Sequence, residues 1–148
     1  MSLEISLAEK SDLRAIASLE KQLFGCHGYP DLFFRQAFDC WRNGFYVAKE
    51  GNGVLGYLLM VPSDDSSKKE AWVLSLGVAD KAQGRGIGRQ LLKHGFESAT
   101  PYTRIVLTVA PENRAALTLY QSFGFELEQQ EQDYFLDGEA RLVMAANR

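Results

Sequence analysis

Apolar residues at the spacing of one helix face predict two helices near the start of the chain. The first begins after the capping pair Ser11-Asp12 and ends near Gly25. The segment 25–30 contains two glycines and a proline, which interrupt helices. Aromatic residues from Phe34 to Trp41 then predict a second helix, which stops at Asn43-Gly44.

Two apolar runs after this helix predict a β-hairpin. Phe45 to Lys49 and Val54 to Val61 have the length of strands and flank the turn sequence Gly51-Asn52-Gly53. We therefore expect two antiparallel strands joined by a tight turn. The polar segment 63–69 that follows predicts a surface loop rather than a linker between domains.

The pattern then changes to strand, glycine-rich turn, helix and strand. Ala71 to Val78 is an apolar run, the next helix extends to about Thr100, and Ile105 to Val109 is rich in β-branched residues. This order is typical of a βαβ unit. A right-handed crossover makes its two strands parallel.

The last part of the chain predicts one more helix and a second hairpin. Pro111-Glu112-Asn113 introduces a helix that stops at Gly124. Phe125 to Tyr134 and Arg141 to Ala145 predict strands on either side of the turn sequence Asp137-Gly138. The length of 148 residues fits a single domain over 1–148.

Composition and charge exclude several classes of protein. With 46% hydrophobic and 24% charged residues, the chain has the composition of a soluble globular protein. Its formal net charge of −3 argues against a protein built to hold nucleic acid. The longest apolar stretch, Val54 to Val61, is far shorter than the roughly 20 residues of a membrane span. We expect no nucleic-acid partner and no membrane partner.

The N-terminus and the cysteines favour a cytoplasmic protein. Met1 to Lys10 lacks the apolar core of a signal peptide, so we expect a cytoplasmic location with Cys26 and Cys40 reduced. The two histidines, His27 and His94, fall in no known metal-ligand spacing, and no metal is expected. Both a monomer and a homodimer remain open.

The glycine-rich turn that opens the helix of the βαβ unit predicts a phosphate site. Gln83-Gly84-Arg85-Gly86-Ile87-Gly88 holds three glycines in five positions, which lets the backbone approach a ligand closely. The first turn of the helix presents unpaired N–H groups and the positive end of the helix dipole. Arg85 and Arg89 flank these amides, and we expect at least one of them to contact phosphate.

Two well-known phosphate motifs do not fit this turn. The dinucleotide fingerprint requires a third glycine where Arg89 stands, and an acidic residue about 20 positions on, where Thr108 lies. The nucleotide P-loop requires Gly-Lys-Ser/Thr, whereas Gly88 is followed by Arg89-Gln90. The turn therefore belongs to neither class.

A third pattern does fit. The segment Gln83 to Gly88 resembles the signature Arg/Gln-x-x-Gly-x-Gly/Ala of the GNAT superfamily, the acyl-CoA-dependent N-acyltransferases. Asn113 to Tyr120, followed by Phe123-Gly124-Phe125, is similar to the second signature of that family, Asn-x-x-Ala-x-x-x-Tyr-x-x-x-Gly-Phe. The resemblance implies an α+β fold with a mixed, mostly antiparallel sheet. Its central parallel pair splays to admit acetyl-CoA, and helices cover both faces.

The resemblance also implies which residues bind the cofactor. In the family, the turn and the helix start wrap the pyrophosphate of coenzyme A, and the end of the preceding strand offers backbone groups to the pantetheine arm. The residues implied are Leu76, Gly77, Val78, Gln83, Gly84, Arg85, Gly86, Ile87, Gly88, Arg89 and Asn113. Asn113 is also a preferred helix N-cap, so it has a structural reason to be present.

Tyr120 is the candidate general acid of an N-acetyltransferase. In direct transfer a neutral amine attacks the thioester carbonyl, and the sulfur leaves as thiol or thiolate. A phenol with a pKa of about 10 can donate to a thiolate whose thiol has a pKa of about 8.5. The alternative is an ordinary helix aromatic packed against the sheet.

The general base stays open. The ends of the chain resemble the branch that acetylates protein N-termini, including the ribosomal-protein alanine N-acetyltransferases, in which a glutamate occupies the position of Thr108. Threonine has no useful basicity, so a carboxylate acting through water is the alternative; the candidates are Glu20, Glu70, Glu112 and Glu126. A site without a strong base suits an α-amine better than lysine, because a much larger fraction of an α-amine is neutral at pH 7.

The acceptor is expected to be a protein or peptide N-terminus. Tyr29 and Tyr134 are predicted to flank the acceptor, although plain surface or core aromatics fit the sequence equally well. Two alternatives remain. One is acetylation of a small amine such as a polyamine, an amino acid or an aminoglycoside, and the other is a non-catalytic acyl-CoA-binding module.

Overall fold

Four α-helices, counted over residues 2–99 and 101–148, begin and end close to the residues that the sequence marks. In the computed structural model, which describes those residues, the helices span Leu13–Phe24 (α1), Asp31–Trp41 (α2), Ile87–Ser98 (α3) and Arg114–Ser122 (α4). Gly25 ends α1 with a φ of 58°, a conformation that favours glycine. None of these four helices has the length and apolar content needed to cross a bilayer.

The same residues form seven β-strands. They are Leu3–Leu7 (β1), Phe45–Glu50 (β2), Gly53–Pro62 (β3), Glu70–Val78 (β4), Arg104–Val109 (β5), Glu126–Glu131 (β6) and Arg141–Asn147 (β7). The described residues divide into two compact units. The first unit comprises residues 2–60 and 75–99, and the second comprises residues 61–74 and 101–148, so β3 and β4 contribute to both.

In the first unit β1, β2 and β3 pair as antiparallel strands. β1 pairs with β2 from Leu3↔Glu50 to Leu7↔Tyr46, and β2 pairs with β3 from Phe45↔Leu59 to Glu50↔Gly53. The turn between β2 and β3 contains Gly51 with a φ of 61°. The predicted hairpin is therefore confirmed.

Helices cover both faces of these strands. The residues from Leu55 to Met60 in β3 are all buried, and successive side chains of a strand point to opposite faces. On one face the Phe34 ring of α2 packs edge-on against Tyr57, with 6.0 Å between ring centroids. On the other face α3 lies so close that a Cβ added at Gly95 would be 2.7 Å from the Leu58 side chain. The core of the first unit is therefore a sheet enclosed by helices.

In the second unit β4 and β5 form the parallel pair that the βαβ pattern predicts. Among the described residues the pairing runs from Glu70↔Arg104 to Trp72↔Val106, although β4 continues to Val78 and β5 to Val109. From Arg104 to Val109, β5 also pairs with β7, and β7 pairs with β6; both pairings are antiparallel. The parallel pairing thus covers only the first part of both strands, as expected for a splayed pair.

Two strands differ from the sequence prediction. No strand is predicted at the N-terminus, yet Leu3–Leu7 forms β1, in which half-buried and exposed residues alternate over only five positions. β6 ends at Glu131 rather than at Tyr134. The backbone leaves the extended conformation there, because Asp133 and Leu136 have φ values of 55° and 62°.

The fold class is confirmed. The described residues form an α+β fold with a mixed sheet, in which β4 pairs with β5 as parallel strands, whereas the pairs β1–β2, β2–β3, β5–β7 and β6–β7 are antiparallel. The organisation of residues 1–148 as one domain stays a prediction.

Candidate functional site

The glycine-rich turn forms an exposed entry to α3 in the first unit. Gly84 and Gly86 adopt φ values of 85° and 77°, which favour glycine. A Cβ added at either position would meet nothing within 4 Å, so the backbone conformation rather than crowding requires glycine here. Gly86 is the N-cap of α3 and has no side chain to accept from the first-turn N–H groups. The turn therefore has the backbone geometry of an anion site.

Gln83 has a structural role within this turn. Its Nε2 atom donates hydrogen bonds to the Val78 carbonyl, at 3.3 Å, and to Asp80 Oδ1, at 3.1 Å. The side chain thereby ties the end of β4 to the short 3-10 turn at Asp80–Ala82. Contact of Gln83 with a cofactor stays a prediction.

Arg85 forms an ion pair that sequence reasoning did not find. Its Nη2 atom lies 2.5 Å from Glu50 Oε2, at the end of β2, and both side chains are substantially exposed. The hydrogen bond from Arg85 lowers the pKa of the Glu50 carboxyl. A phosphate contact by Arg85 would therefore exchange one anionic partner for another. No local pattern signals a pair separated by 35 residues in sequence.

The end of β4, Leu76-Gly77-Val78, is held by close packing in the first unit. A Cβ added at Gly77 would lie 2.6 Å from the Tyr57 hydroxyl oxygen, so this position tolerates only glycine without rearrangement. After Val78 the chain is anchored by the Ala79 N–H, which donates to the Leu55 carbonyl at 2.8 Å. These contacts fix the backbone that is predicted to meet the pantetheine arm.

Asn113 is the N-cap of α4 in the second unit. Its Oδ1 atom accepts a hydrogen bond from the Ala116 N–H at 3.2 Å, and the side chain is exposed. This capping role is a sufficient reason for an asparagine at position 113, even if it contacts no ligand. The exposed side chain leaves a second role in cofactor binding as a prediction.

Tyr120 is the one buried residue of α4. Its ring packs edge-on against Phe125, with 5.7 Å between centroids. Within residues 2–99 and 101–148 no group forms a hydrogen bond with its hydroxyl, and burial raises the pKa of the phenol to about 12, opposed by the positive charge of Arg141. The ring is therefore packed as a core aromatic, while its hydroxyl stays protonated over the physiological range.

Arg141 lies beside Thr108, the position where the related branch has a glutamate. Arg141 Nη2 contacts the Thr108 carbonyl at 3.2 Å and its Oγ1 at 3.3 Å, and the guanidinium carbon lies 5.4 Å from the centre of the Phe135 ring. The strand pairing of β5 with β7 brings these residues together. Sequence reasoning missed Arg141, because only the register of the two strands reveals the contact.

The four carboxylates considered as bases have different surroundings. Glu20 is buried and accepts three hydrogen bonds from its own unit. In the second unit Glu70 Oε2 pairs with Arg104 at 3.0 Å. Glu112 and Glu126 are exposed. None of these settings marks one of the four as the base.

The two tyrosines predicted for the acceptor side lie in irregular segments. In the first unit Tyr29 directly precedes α2, and its ring stacks on Phe33 with 4.0 Å between centroids. In the second unit Tyr134 lies in the connection between β6 and β7, where its N–H donates to the Glu139 carbonyl at 2.9 Å. Both side chains are half-buried, and their contact with an acceptor stays a prediction.

The predicted residues thus fall into two groups. The first unit joins the end of β4, the glycine turn and the start of α3, and it also holds Tyr29. The second unit joins Tyr120 with Thr108 and Arg141, and it also holds Asn113 and Tyr134. The first group contains the glycine turn at the start of α3, the second contains a protonated phenol near Arg141, and the roles of both groups stay predictions.

Comparison with known proteins identifies the family. Residues 12–125 match the sequence model of the family described as "Acetyltransferase (GNAT) family". N-alpha-acetyltransferase RimI of Mycobacterium tuberculosis is 33% identical over 123 residues, which are 82% of this chain and 77% of that protein. N-acetyltransferase 8F1 of Rattus norvegicus is 33% identical over 89 residues, which are 57% of this chain but only 40% of that protein.

A solved structure supports the same fold. A chain in the crystal structure of the NatC complex bound to Gag peptide and CoA superposes with a TM-score of 0.90 at 18% identity, covering 100% of this chain and 99% of that one. At this identity the similarity concerns the fold alone. With the family match spanning most of the chain, the resemblance drawn from the two signatures is confirmed, and the chain belongs to the GNAT acetyltransferase family.

Proposed function

We propose that this N-acetyltransferase transfers the acetyl group of acetyl-CoA to the N-terminal α-amine of a protein or peptide. The observation that carries the proposal is the glycine turn at the start of α3, which lies within the matched family segment. The acceptor class is supported by the RimI relative, which is named an N-alpha-acetyltransferase. It is also supported by the NatC structure, which contains a peptide together with CoA.

The cofactor site is proposed to use backbone atoms more than side chains. The N–H groups of Ile87 and Gly88 belong to the first turn of α3, and the first N–H groups of a helix have no acceptor four residues earlier within it. They suit the pyrophosphate of acetyl-CoA, because donors and the helix dipole both favour negative charge at that end. The strand end Leu76-Gly77-Val78 is assigned to the pantetheine arm, and Asn113 to its amide groups.

Tyr120 is proposed to assist the departure of the sulfur. The amine nitrogen forms a bond with the acetyl carbonyl carbon, the carbon–sulfur bond breaks, and one proton leaves the nitrogen while one reaches the sulfur. With a pKa raised to about 12, the phenol is fully protonated at neutral pH and can donate a hydrogen bond to the developing thiolate. Complete transfer of the phenol proton is uphill, so Tyr120 stabilises the departing thiolate by a hydrogen bond and keeps its proton. The proton that the amine releases reaches the sulfur through solvent.

The surroundings of Thr108 favour an acceptor that is already partly neutral. Arg141 places a positive charge beside Thr108, where the related branch has a glutamate. A cation disfavours the protonated form of a nearby amine, which lowers the need for a base. An α-amine with a pKa of about 8 is about one-tenth neutral at pH 7, whereas a lysine with a pKa of about 10.4 is almost entirely charged.

Tyr29 and Tyr134 are assigned to the acceptor side of the enzyme. Each lies in an irregular segment and has a half-buried ring with a polar end. Aromatic rings of this kind can pack against the apolar part of a peptide, and a phenol hydroxyl can donate or accept a hydrogen bond. Their position in irregular segments agrees with the frequent location of binding residues on loops.

Release of free CoA from acetyl-CoA tests the function directly. The enzyme is incubated with peptides that carry a free N-terminus, with the same peptides blocked at the N-terminus, and with polyamines, amino acids and aminoglycosides. We expect CoA release only with free N-termini, and mass spectrometry should place the acetyl group on the α-amine. Turnover with small amines alone would identify a small-molecule acetyltransferase. Binding of acetyl-CoA without turnover on any amine would identify a non-catalytic module.

A further inference from the structure

Glu20 is a buried carboxylate to which the proposed chemistry gives no task. It lies in α1 with only 2% of its surface exposed. Burial of a carboxylate is unfavourable unless hydrogen bonds replace the lost water. Glu20 accepts three such bonds, and each donor comes from a different segment of the first unit.

The two oxygens of Glu20 serve different parts of the structure. Oε1 accepts from the Tyr57 hydroxyl in β3 and from the Ser75 hydroxyl in β4, each at 2.6 Å. Oε2 accepts from the backbone N–H of Tyr29 at 2.9 Å. The first oxygen therefore contacts regular strands, whereas the second contacts the irregular residues that join the 3-10 turn Gly25–His27 to α2.

The segment 25–30 depends on this carboxylate for its position. Between the 3-10 turn Gly25–His27 and the start of α2 at Asp31, the Gly28 N–H donates to the Gly25 carbonyl and the Tyr29 N–H donates to Glu20, while the Pro30 carbonyl accepts from the first turn of α2. The segment also packs closely on Glu20, because a Cβ added at Gly28 would lie 3.2 Å from the Glu20 Cγ atom. Glu20 is thus both the hydrogen-bond partner and the packing surface of this segment.

We infer that Glu20 is a positioning residue, which fixes the backbone of the segment 25–30 and so supports the position from which Tyr29, stacked on Phe33, meets the acceptor amine. This inference rests on the proposed acceptor role of Tyr29. It replaces the earlier alternative that Glu20 acts as a base through water, because both of its oxygens are already engaged by protein donors. The contact is charge-assisted, and bonds of this kind are about twice as strong as neutral ones.

Substitution Glu20→Gln tests the inference, because glutamine keeps the size of the side chain but removes its charge. With one oxygen instead of two, the amide cannot accept from the strands and from Tyr29 in the same geometry. We expect the acceptor KM to rise about tenfold, while kcat and the KM of acetyl-CoA change less than about twofold. Hydrogen–deuterium exchange of the segment 25–30 should become faster, with exchange of β2 and β3 unchanged.

Two further variants separate positioning from a general structural role. Ser75→Ala removes one donor to Oε1 and leaves the Tyr29 contact, so its acceptor KM should stay near that of the wild type. Gly28→Ala keeps the Glu20 carboxylate and its two hydroxyl donors, but its Cβ would lie 3.2 Å from Glu20 Cγ and push the segment away from Glu20, so it should reproduce the rise in acceptor KM even if Glu20→Gln does not fold. Glu97→Gln, at an exposed acid in α3, controls for the loss of one negative charge.

The outcomes separate this inference from the proposed function. Equal effects of Ser75→Ala and Glu20→Gln on acceptor KM, or unchanged exchange of the segment 25–30 in Glu20→Gln, would overturn the positioning role while leaving acetyl transfer intact. If the wild-type enzyme turned over no amine, the proposed function would fail. The exchange measurement would still show whether Glu20 holds the segment.

Discussion

At the scale of single residues, burial extends the pH range over which Tyr120 stays protonated. Burial in the second unit raises the pKa of the phenol to about 12, against the opposing charge of Arg141. A higher pKa makes the phenol a weaker acid but guarantees that it carries its proton when the sulfur departs. Both consequences can be measured, one in the rate and one in the stability.

The pH dependence of the rate should follow the acceptor and not Tyr120. We expect kcat/KM to rise through the pKa of the acceptor amine, at about pH 8 for an α-amine, and then to stay level up to about pH 10, because Tyr120 remains protonated there. Tyr120→Phe should lower kcat by about a hundredfold or more and leave the rising limb in place. A falling limb between pH 8 and 10 that disappears in Tyr120→Phe would contradict the raised pKa.

The same pKa predicts a loss of stability in alkali. The folded-state pKa of about 12 lies above the unfolded value of about 10, so the contribution of Tyr120 is fully present below pH 10 and is lost as the pH rises toward 12. The free energy of unfolding should fall by about 1.4 kcal/mol per pH unit in that window because of this group. Urea titrations of the wild type and of Tyr120→Phe at pH 9, 10 and 11 isolate the effect, since the other titrating groups are shared. A constant difference between the two proteins would show that folding does not raise the pKa of the phenol.

At the scale of elements, variants at the start of α3 can distinguish a loss of cofactor binding from the effect of backbone strain. Gly86→Val should greatly reduce acetyl-CoA affinity, measured by calorimetry, because a side chain in this exposed turn blocks approach to the amides. Gly138→Val is the matched control, since Gly138 has a φ of 89° and equally open surroundings in the connection between β6 and β7. Both variants carry similar backbone strain, and only Gly86→Val should lose affinity. Equal affinity in both variants would refute the phosphate role of the turn.

The start of α4 allows the two roles of Asn113 to be told apart. Asn113→Ala should cost about 1 kcal/mol of stability, because the hydrogen bond to the Ala116 N–H is lost. Asn113→Ser keeps a capping oxygen, so its thermal midpoint should stay near that of the wild type. If Asn113 also contacts the cofactor, both variants should bind acetyl-CoA more weakly, by about fivefold. An unchanged affinity of Asn113→Ser for acetyl-CoA would show that Asn113 serves only as the helix N-cap.

The elements also show what the sequence could predict. The four helices and the hairpin of β2 and β3 carry local signals, namely amphipathic spacing, N-caps and glycine turns, and they lie where those signals place them. β1 was not predicted, because an alternating pattern over five residues is a weak strand signal unless the pairing with β2 is known. The end of β6 was placed too late, because residues 126–131 are all exposed and carry no alternation of buried and exposed positions that would mark a boundary.

At the scale of the whole molecule, the sequence predicted the motifs of the site but not their surroundings. The signatures at Gln83–Gly88 and Asn113–Tyr120 are contiguous, so reading along the chain was sufficient to find them. The contacts of Glu50 with Arg85, of Thr108 with Arg141 and of Glu20 with Ser75 join residues 33 to 55 positions apart. Such contacts depend on strand register and helix packing, which local patterns do not encode.

Binding of acetyl-CoA should be visible in the stability of the whole protein. A ligand that binds only the folded state adds about 2.7 kcal/mol at a concentration one hundred times its Kd. For a protein of 148 residues this shift corresponds to a rise in thermal midpoint of about 5–10 °C. The rise should be absent in Gly86→Val and retained in Gly138→Val, which rules out a general effect of the added compound. The rise should also be retained in Glu20→Gln, because Glu20 is assigned to positioning the acceptor. Loss of the rise in this variant would indicate that Glu20 supports cofactor binding instead.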